Sequence, residues 1–252
     1  MRLCILALCL LCCCPEGVLD VAKSYLGTPY VAGTLDKNSR EQLIINEQEL
    51  DCTTFVELSV ARRLATQNDC LTFEQQVQRL RYRDGVIDGY LSRLHYFTDW
   101  VAENSRRGVW HELAPEQGKQ SDIWHTDTLT LSFMSEHPQS YPYLKANDWA
   151  VDSMRSIEQQ YTHYPIHYIG KEYLNLSSQE LPIRDGDILA LVTTIDGLDV
   201  THLGFAVWQG DTLHLMHASM KQGKVIIDDQ SLYDYLKNRK SCPGVRVVRL
   251  NH

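Results

Sequence analysis

Residues 201–219 read Thr-His-Leu-Gly-Phe-Ala-Val-Trp-Gln-Gly-Asp-Thr-Leu-His-Leu-Met-His-Ala-Ser. Two apolar-rich runs flank Gln209-Gly210-Asp211, a compact turn signal, so the stretch is expected to double back as an antiparallel hairpin. Side chains alternate between the two faces of a strand. His202, Gly204 and Ala206 therefore share one face of the first strand, and Leu213, Leu215 and His217 share one face of the second. This brings His217 beside His202. His214 and Met216 point the other way, which makes His214 structural or surface. The small residues on the face of His202 would let a helix come close.

Working outward, the last third of the chain keeps the same short period. DGDILALVTT (185–194), KVIIDD (224–229) and GVRVVRL (244–250) read as strands, with a helical stretch, SLYDYLKNR (231–239), between the last two. The N-terminal third follows the helical period instead. VLDVAKSYL (18–26) ends at Gly27 and the turn Gly27-Thr28-Pro29-Tyr30. Val56, Val60 and Leu64 repeat every four residues in a helix from Cys52 to Ala65, and Phe73, Val77 and Leu80 continue in a third. Residues 82–180 are rich in Tyr, Trp, His and Asn, with a helix expected around 147–160. Without a repeat or a low-complexity linker, this region is expected to pack onto the rest. Helices first and a mostly antiparallel sheet after them make an α+β fold, read as one domain over 17–252.

Composition narrows the function. The chain has 252 residues, is 44% hydrophobic and 22% charged, and carries a net charge of −8. No basic run is long enough for a nucleic-acid footprint, so nucleic acid is not an expected partner. Residues 1–14, MRLCILALCLLCCC, place twelve apolar or Cys residues after a single Arg. That run is too short to span a bilayer and reads as a signal-peptide or lipoprotein leader over 1–16. Leu11-Cys12-Cys13-Cys14 faintly resembles a lipobox, with Pro15 an awkward neighbour. Export from the cytoplasm is expected, and membrane attachment through an N-terminal lipid stays open. Five of the eight Cys lie in that leader. The odd set left, Cys52, Cys70 and Cys242, keeps at least one thiol unpaired. A Cys70–Cys242 bridge would leave Cys52.

Cys52 sits in the stretch Asp51-Cys52-Thr53-Thr54-Phe55-Val56-Glu57. Asp51 is a good N-cap, which puts Cys52 in the first helical turn, where free N–H groups and the dipole favour a thiolate. Asp51 itself opposes the thiolate. Core filler and nucleophile both fit Cys52 taken alone. A nucleophile needs a base and an orienting group. His202 is the candidate base and His217 the orienter, with Asp228 and Asp229 as further candidates for the third position. Metal ligation by His214 and His217 is disfavoured, because H-x-x-H on a strand splits the pair between faces. No metal and no cofactor is expected.

YLGTPYVAG (25–33), DCTTFVE (51–57) and HLGFAVWQGDTLHLMHAS (202–219) resemble the NlpC-type cysteine peptidases of bacterial cell walls. That resemblance implies a papain-like fold, with N-terminal helices packed on a small antiparallel β-barrel and a large insertion over about 82–180. It implies Cys52, His202 and His217 as catalytic residues, and Tyr30 close to the nucleophile, helping to hold the oxyanion. YRDGVIDGYLSRLHYFTDW (82–100), FMSEH (133–137) and DGDILALVTTIDGLDVTHLG (185–204) resemble one subfamily, the N-acetylmuramoyl-L-alanine amidase-like proteins. Thr53-Thr54 after the Cys, in place of the Ser-Gly usual in the wider group, fits that subfamily.

The resemblance implies a muropeptide or peptidoglycan fragment as substrate, a periplasmic location in the bacterial cell envelope, and hydrolysis of the amide between N-acetylmuramic acid and L-alanine. A monomer is expected. Tyr90, Ser92, Arg93 and His95 are candidate substrate contacts, with Arg93 available to pair with a stem-peptide carboxylate. Asp51 is a fifth, placed to read an amine or amide N–H. The competing readings are a stem-peptide endopeptidase cutting between D-Glu and the diamino acid, a transglutaminase-like acyl transferase with an Asp in third position, and a non-catalytic wall-binding module. A zinc amidase is weaker, for want of a clustered ligand set.

Overall fold

The structure, a computed structural model, describes residues 17–38, 40–67, 70–116 and 121–251. The leader and the lipid-attachment reading fall on residues 1–16, outside the described residues. In chain order the elements are α1 (Val18–Lys23), α2 (Cys52–Thr66), α3 (Phe73–Arg81), α4 (Phe97–Arg106), β1 (Trp110–Glu112), β2 (Trp124–Leu129), α5 (Phe133–Glu136), α6 (Pro142–Ala146), α7 (Asp148–Glu158), β3 (Tyr164–Gly170), β4 (Ile188–Val192), β5 (Val200–Gln209), β6 (Thr212–Ser219), β7 (Lys224–Ile227), α8 (Leu232–Leu236) and β8 (Gly244–Leu250). The fold is mixed α and β with an antiparallel sheet, as the change of period along the chain implies.

The sheet runs β2-β3-β8-β4-β5-β6-β7, with β1 pairing β8 at one side. Five of its strands are those expected over 185–250. The other three come from the middle of the chain, where the sequence shows no strand period. In β2 the reason is plain: four of its six residues are exposed, so no alternation of apolar and polar side chains marks it. The middle region thus extends the sheet as well as covering it.

The alternation along the strands builds a core on each face. Ile188, Ala190, Leu203, Phe205, Val207, Met216 and Ala218 meet the apolar stripes of α1 to α4. Leu189, Leu191, Ala206, Leu213, Leu215, Val245 and Val247 meet α8 and the segment before β4. Phe55 of α2 packs edge-on against Phe205 at 5.6 Å. Both rings are fully buried, and truncating either would cost about 3–5 kcal/mol. This contact holds the start of α2 beside β5.

Buried polar groups fasten the middle region to the sheet. Arg246 on β8, with no exposed surface, donates to Thr98 Oγ1 on α4 at 2.7 Å and to Glu112 on β1. The Thr98 backbone N–H donates to Asp199 Oδ2 at 2.7 Å, just before β5. The Tyr96 hydroxyl donates to Glu158 Oε1 at 2.6 Å and accepts from Met134 N at 2.7 Å, tying α4 to α7 and α5. Leaving such groups unpaired in the interior costs far more than their hydrogen bonds contribute. The aromatic side chains between these ties are therefore held in fixed positions.

Candidate active site

Cys52 is the first residue of α2. Asp51 caps the helix: its carboxylate accepts from Thr54 N at 2.8 Å, and the Thr54 hydroxyl accepts from Asp51 N at 2.9 Å. This reciprocal box fixes the entry of the chain, so the sulfur projects from a rigid turn. Burial pushes the Cys52 thiol up to about 11, Asp51 adds to the rise, and a Leu203 backbone N–H lowers it. In the resting protein at neutral pH Cys52 is therefore a thiol. The helix N-terminus does not offset desolvation and the adjacent carboxylate. Replacing Asp51 with Asn keeps the cap and removes the charge. The Cys52 pKa should then fall, and iodoacetamide should alkylate Cys52 faster at neutral pH, with little loss of melting temperature.

His202 lies near the start of β5. Val192 pairs with Val200 and Leu191 with His202, so Thr201 is an extra residue in the ladder. Such a bulge re-aims the side chains next to it. His202 and Cys52 line the same cavity. On its other side the His202 ring meets His217: Nε2 lies 2.5 Å from His217 Nδ1, with the rings nearly perpendicular. His217 Nε2 has no hydrogen-bond partner, and Asp228 Oδ2 stands 3.6 Å from it. Burial holds the His202 ring down at about 3, and the His217 and Arg239 charges push the same way. Burial also lowers His217, opposed by Asp228. Both imidazoles are neutral at pH 7. In the tautomer where His202 Nε2 carries the hydrogen and His217 Nδ1 accepts it, His202 Nδ1 has the free lone pair and is the nitrogen able to take a proton.

The expected pairing of His202 with His217 across the hairpin is present. The reason for the small residues beside His202 is different from the one expected. The helices pack against the opposite face, on Leu203, Phe205 and Val207. Gly204 instead makes room for β6: a Cβ there would lie 2.6 Å from Met216 O and 3.1 Å from His217 Cβ. Gly204→Ala should displace His217 from His202, costing about 1–3 kcal/mol of stability. It should also cost more than tenfold in kcat/KM, by analogy with other small misplacements of catalytic groups. Denaturant melts and steady-state kinetics read the two effects separately.

The cavity holding Cys52 and His202 has a volume of about 220 Å³. Its wall is largely aromatic, with Tyr90, His95, Tyr96, Phe97, Trp100 and Tyr141. Of the candidate contacts, Tyr90 and His95 reach it. His95 Nε2 lies 2.8 Å from Tyr90 O, and burial with the nearby Arg93 charge takes the ring down to about 3, so it is neutral. Ser92 and Arg93 are not in the wall. Ser92 Oγ donates to Gly89 O at 2.7 Å. Arg93 is buried and ion-paired with Asp36 at 2.8 Å and Glu41 at 3.0 Å, so its charge is already matched within the protein. The Asp51 carboxylate is engaged by Thr54. Tyr30 lies near Cys52 and Asp51, whose charges, after burial, raise its hydroxyl pKa. Its main chain is tied to Leu50, one residue from the helix cap.

Sequence reasoning did not single out Trp100, Met134, Tyr141 or Asp199, all of which line the cavity. Trp100 is 4% exposed and its indole N–H has no partner. Its place in an aromatic-rich run was the only available signal. Cys70 and Cys242 are free, Cys70 exposed and Cys242 buried with its thiol donating to Gly244 O. His214 is bound to the Asp228 carbonyl at 2.9 Å. Among the described residues no group of three or more His, Cys, Asp or Glu is placed to hold a metal ion, and no helix is long and apolar enough to cross a membrane.

The sequence pattern of the AmiA-like family, described as N-acetylmuramoyl-L-alanine amidase-like, matches residues 20–245. The chain belongs to the AmiA-like family. Among solved structures it is similar to an N-acetylmuramoyl-L-alanine amidase from Bacteroides uniformis ATCC 8492. The identity is 38% over 93% of this chain and 98% of that one, with a TM-score of 0.85. It is also similar to a protein from Bacteroides fragilis that carries a provisional xylanase name, with 41% identity, 92% and 100% coverage, and a TM-score of 0.83. A Legionella pneumophila protein at 21% identity and TM-score 0.69 shares the fold alone. Comparison with curated proteins found no match. The AmiA-like match spans every element that builds the cavity and the Cys52, His202 and His217 arrangement.

Proposed function

We propose that this AmiA-like protein is a cysteine-dependent amidase of peptidoglycan fragments, hydrolysing the bond between N-acetylmuramic acid and the L-alanine of the stem peptide. One observation carries the reading: a thiol on a capped helix N-terminus shares an aromatic-walled cavity with a histidine that a second buried histidine orients. The similarity to the Bacteroides uniformis amidase supports the choice of bond. The helices packed on an antiparallel sheet, with the nucleophile at a helix start, support placement in the NlpC-type papain-like superfamily. The reading places the protein's action in the bacterial cell envelope.

In this mechanism His202 Nδ1 takes the proton from Cys52 Sγ as the sulfur attacks the lactyl carbonyl carbon. Because the resting pair is neutral, this transfer occurs on attack and His202 is a true general base. The Cys52 backbone N–H, unpaired within its helix, and the Tyr30 hydroxyl are the donors for the oxyanion. His202 passes its proton to the alanine nitrogen and the carbon–nitrogen bond breaks, leaving a thioester on Cys52. Water, deprotonated by His202, attacks that carbonyl and frees the muramoyl carboxylic acid. His217 accepts the His202 Nε2–H throughout, and Asp228 beyond it offsets the positive charge that forms.

The histidine in the third position favours this chemistry over a transglutaminase-like arrangement, since Asp228 reaches His202 only through His217. The xylanase name of the B. fragilis relative implies a carboxylate pair flanking a glycosidic oxygen. Here the two cavity carboxylates are committed, Asp36 to Arg93 and Asp199 to Thr98 and Val200 N–H groups. The test is mass spectrometry of a disaccharide-peptide incubated with the protein. Intact stem peptide and peptide-free disaccharide are the expected products. Fragments cut within the peptide, or sugars released from one another, would overturn the reading.

A further inference from the structure

A second cavity, of about 470 Å³, opens on the far side of the catalytic histidines. Thr201 and His202 line both cavities, so the two meet at the candidate base. The walls differ in kind. The cavity beside Cys52 is walled by aromatic side chains, whereas the second is lined by His217, Asp228, Tyr235, Arg239 and Lys221.

Arg239 is held in place. Its guanidinium lies 4.0 Å over the Tyr235 ring, and that ring packs edge-on against His217 at 5.6 Å. Neither Arg239 nor Lys221 has an acidic partner among the described residues. The one carboxylate of the cavity, Asp228, is already engaged: Oδ1 accepts from Gln230 N at 3.0 Å and Oδ2 faces His217. A fixed cation beside two buried histidines opposes the protonation that catalysis needs, and its charge lowers both rings. An anionic occupant would cancel that field.

Resting on the amidase reading, we propose that this cavity receives the leaving-amine side of the substrate, and that Arg239, aided by Lys221, binds a peptide carboxylate one or two residues beyond the scissile nitrogen. The aromatic cavity then takes the acyl side. Sugars suit aromatic walls, and a stem peptide, rich in carboxylates, suits the cationic one. The carboxylate does more than anchor. By neutralising Arg239 it makes His202 a stronger base when a peptide of the right charge is bound.

The test uses Cys52→Ala protein, which binds without turnover, and histidine side-chain NMR. The probes are L-Ala-γ-D-Glu and its analogue with the α-carboxylate converted to carboxamide. The acid is expected to bind about tenfold tighter than the amide, in keeping with a charge-assisted hydrogen bond, and to shift the His217 resonances. Arg239→Gln should bring the acid down to the level of the amide, and Arg239→Lys should keep part of the preference. Arg239 is exposed, so these variants are expected to fold, which circular dichroism checks. Equal binding of acid and amide, a preference that survives Arg239→Gln, or no binding of either probe would overturn the proposal. Hydrolysis by the wild-type protein is scored separately, so the subsite and the amidase reading can fail independently.

Discussion

Cys52→Ala is expected to fold as the wild type and to hydrolyse no muropeptide. The residue is half-buried at the first turn of α2, and Ala is a good helix former, so the cap made by Asp51 and Thr54 survives. The expected loss in kcat is on the order of 10⁴-fold or more, because removing a nucleophile removes the covalent route while leaving substrate binding. Binding of a disaccharide-peptide by calorimetry should therefore persist. Alkylation gives the companion result. With the thiol at about 11, iodoacetamide should modify Cys52 slowly at neutral pH and faster as pH rises. A preformed thiolate–imidazolium pair would instead give a rate that is already flat well below neutrality.

His202→Ala and His217→Ala should each cut kcat/KM by about 10³-fold or more, and the double variant should lose little beyond the worse single. The reason is geometric. His217 acts only through the 2.5 Å contact with His202 Nε2, so once His202 is gone His217 has nothing to orient. Asp228→Asn, one contact further out at 3.6 Å, should cost less than either. The pH profile adds a sign. His202 must be neutral to act as a base, and burial lowers its pKa to about 3. The acid limb of kcat/KM should thus lie well below the ordinary histidine value of 6.5. Removing the Arg239 charge, which pushes His202 down, should move that limb upward.

The central hairpin was legible because its code is simple. A turn at 209–211 sets the register, and strict alternation then assigns His202 and His217 to one face. Cys52 was legible as a first-turn residue because Asp51 and Thr54 spell a helix start. What the sequence did not display depends on tertiary contacts. The bulge at Thr201 exists only against β4. The polar strand β2 gains its place by pairing with β3, and its side chains show no period. Arg93 looked free to meet a substrate, since nothing local reveals that Asp36 and Glu41, more than fifty residues away, close over it. The aromatic wall was visible as composition, but only the Tyr96–Glu158 and Arg246–Thr98 ties show which rings face Cys52.

The most direct measurement is intact-protein mass spectrometry of the wild type, acid-quenched while turning over a disaccharide-peptide. The account expects a transient adduct on Cys52 whose mass is that of the disaccharide-lactyl acyl group, and no such adduct on Cys52→Ala. That result would fix the nucleophile, the bond and the orientation of the substrate together. An adduct carrying a peptide acyl group would contradict the choice of bond. Hydrolysis that proceeds unchanged in Cys52→Ala would contradict the mechanism itself.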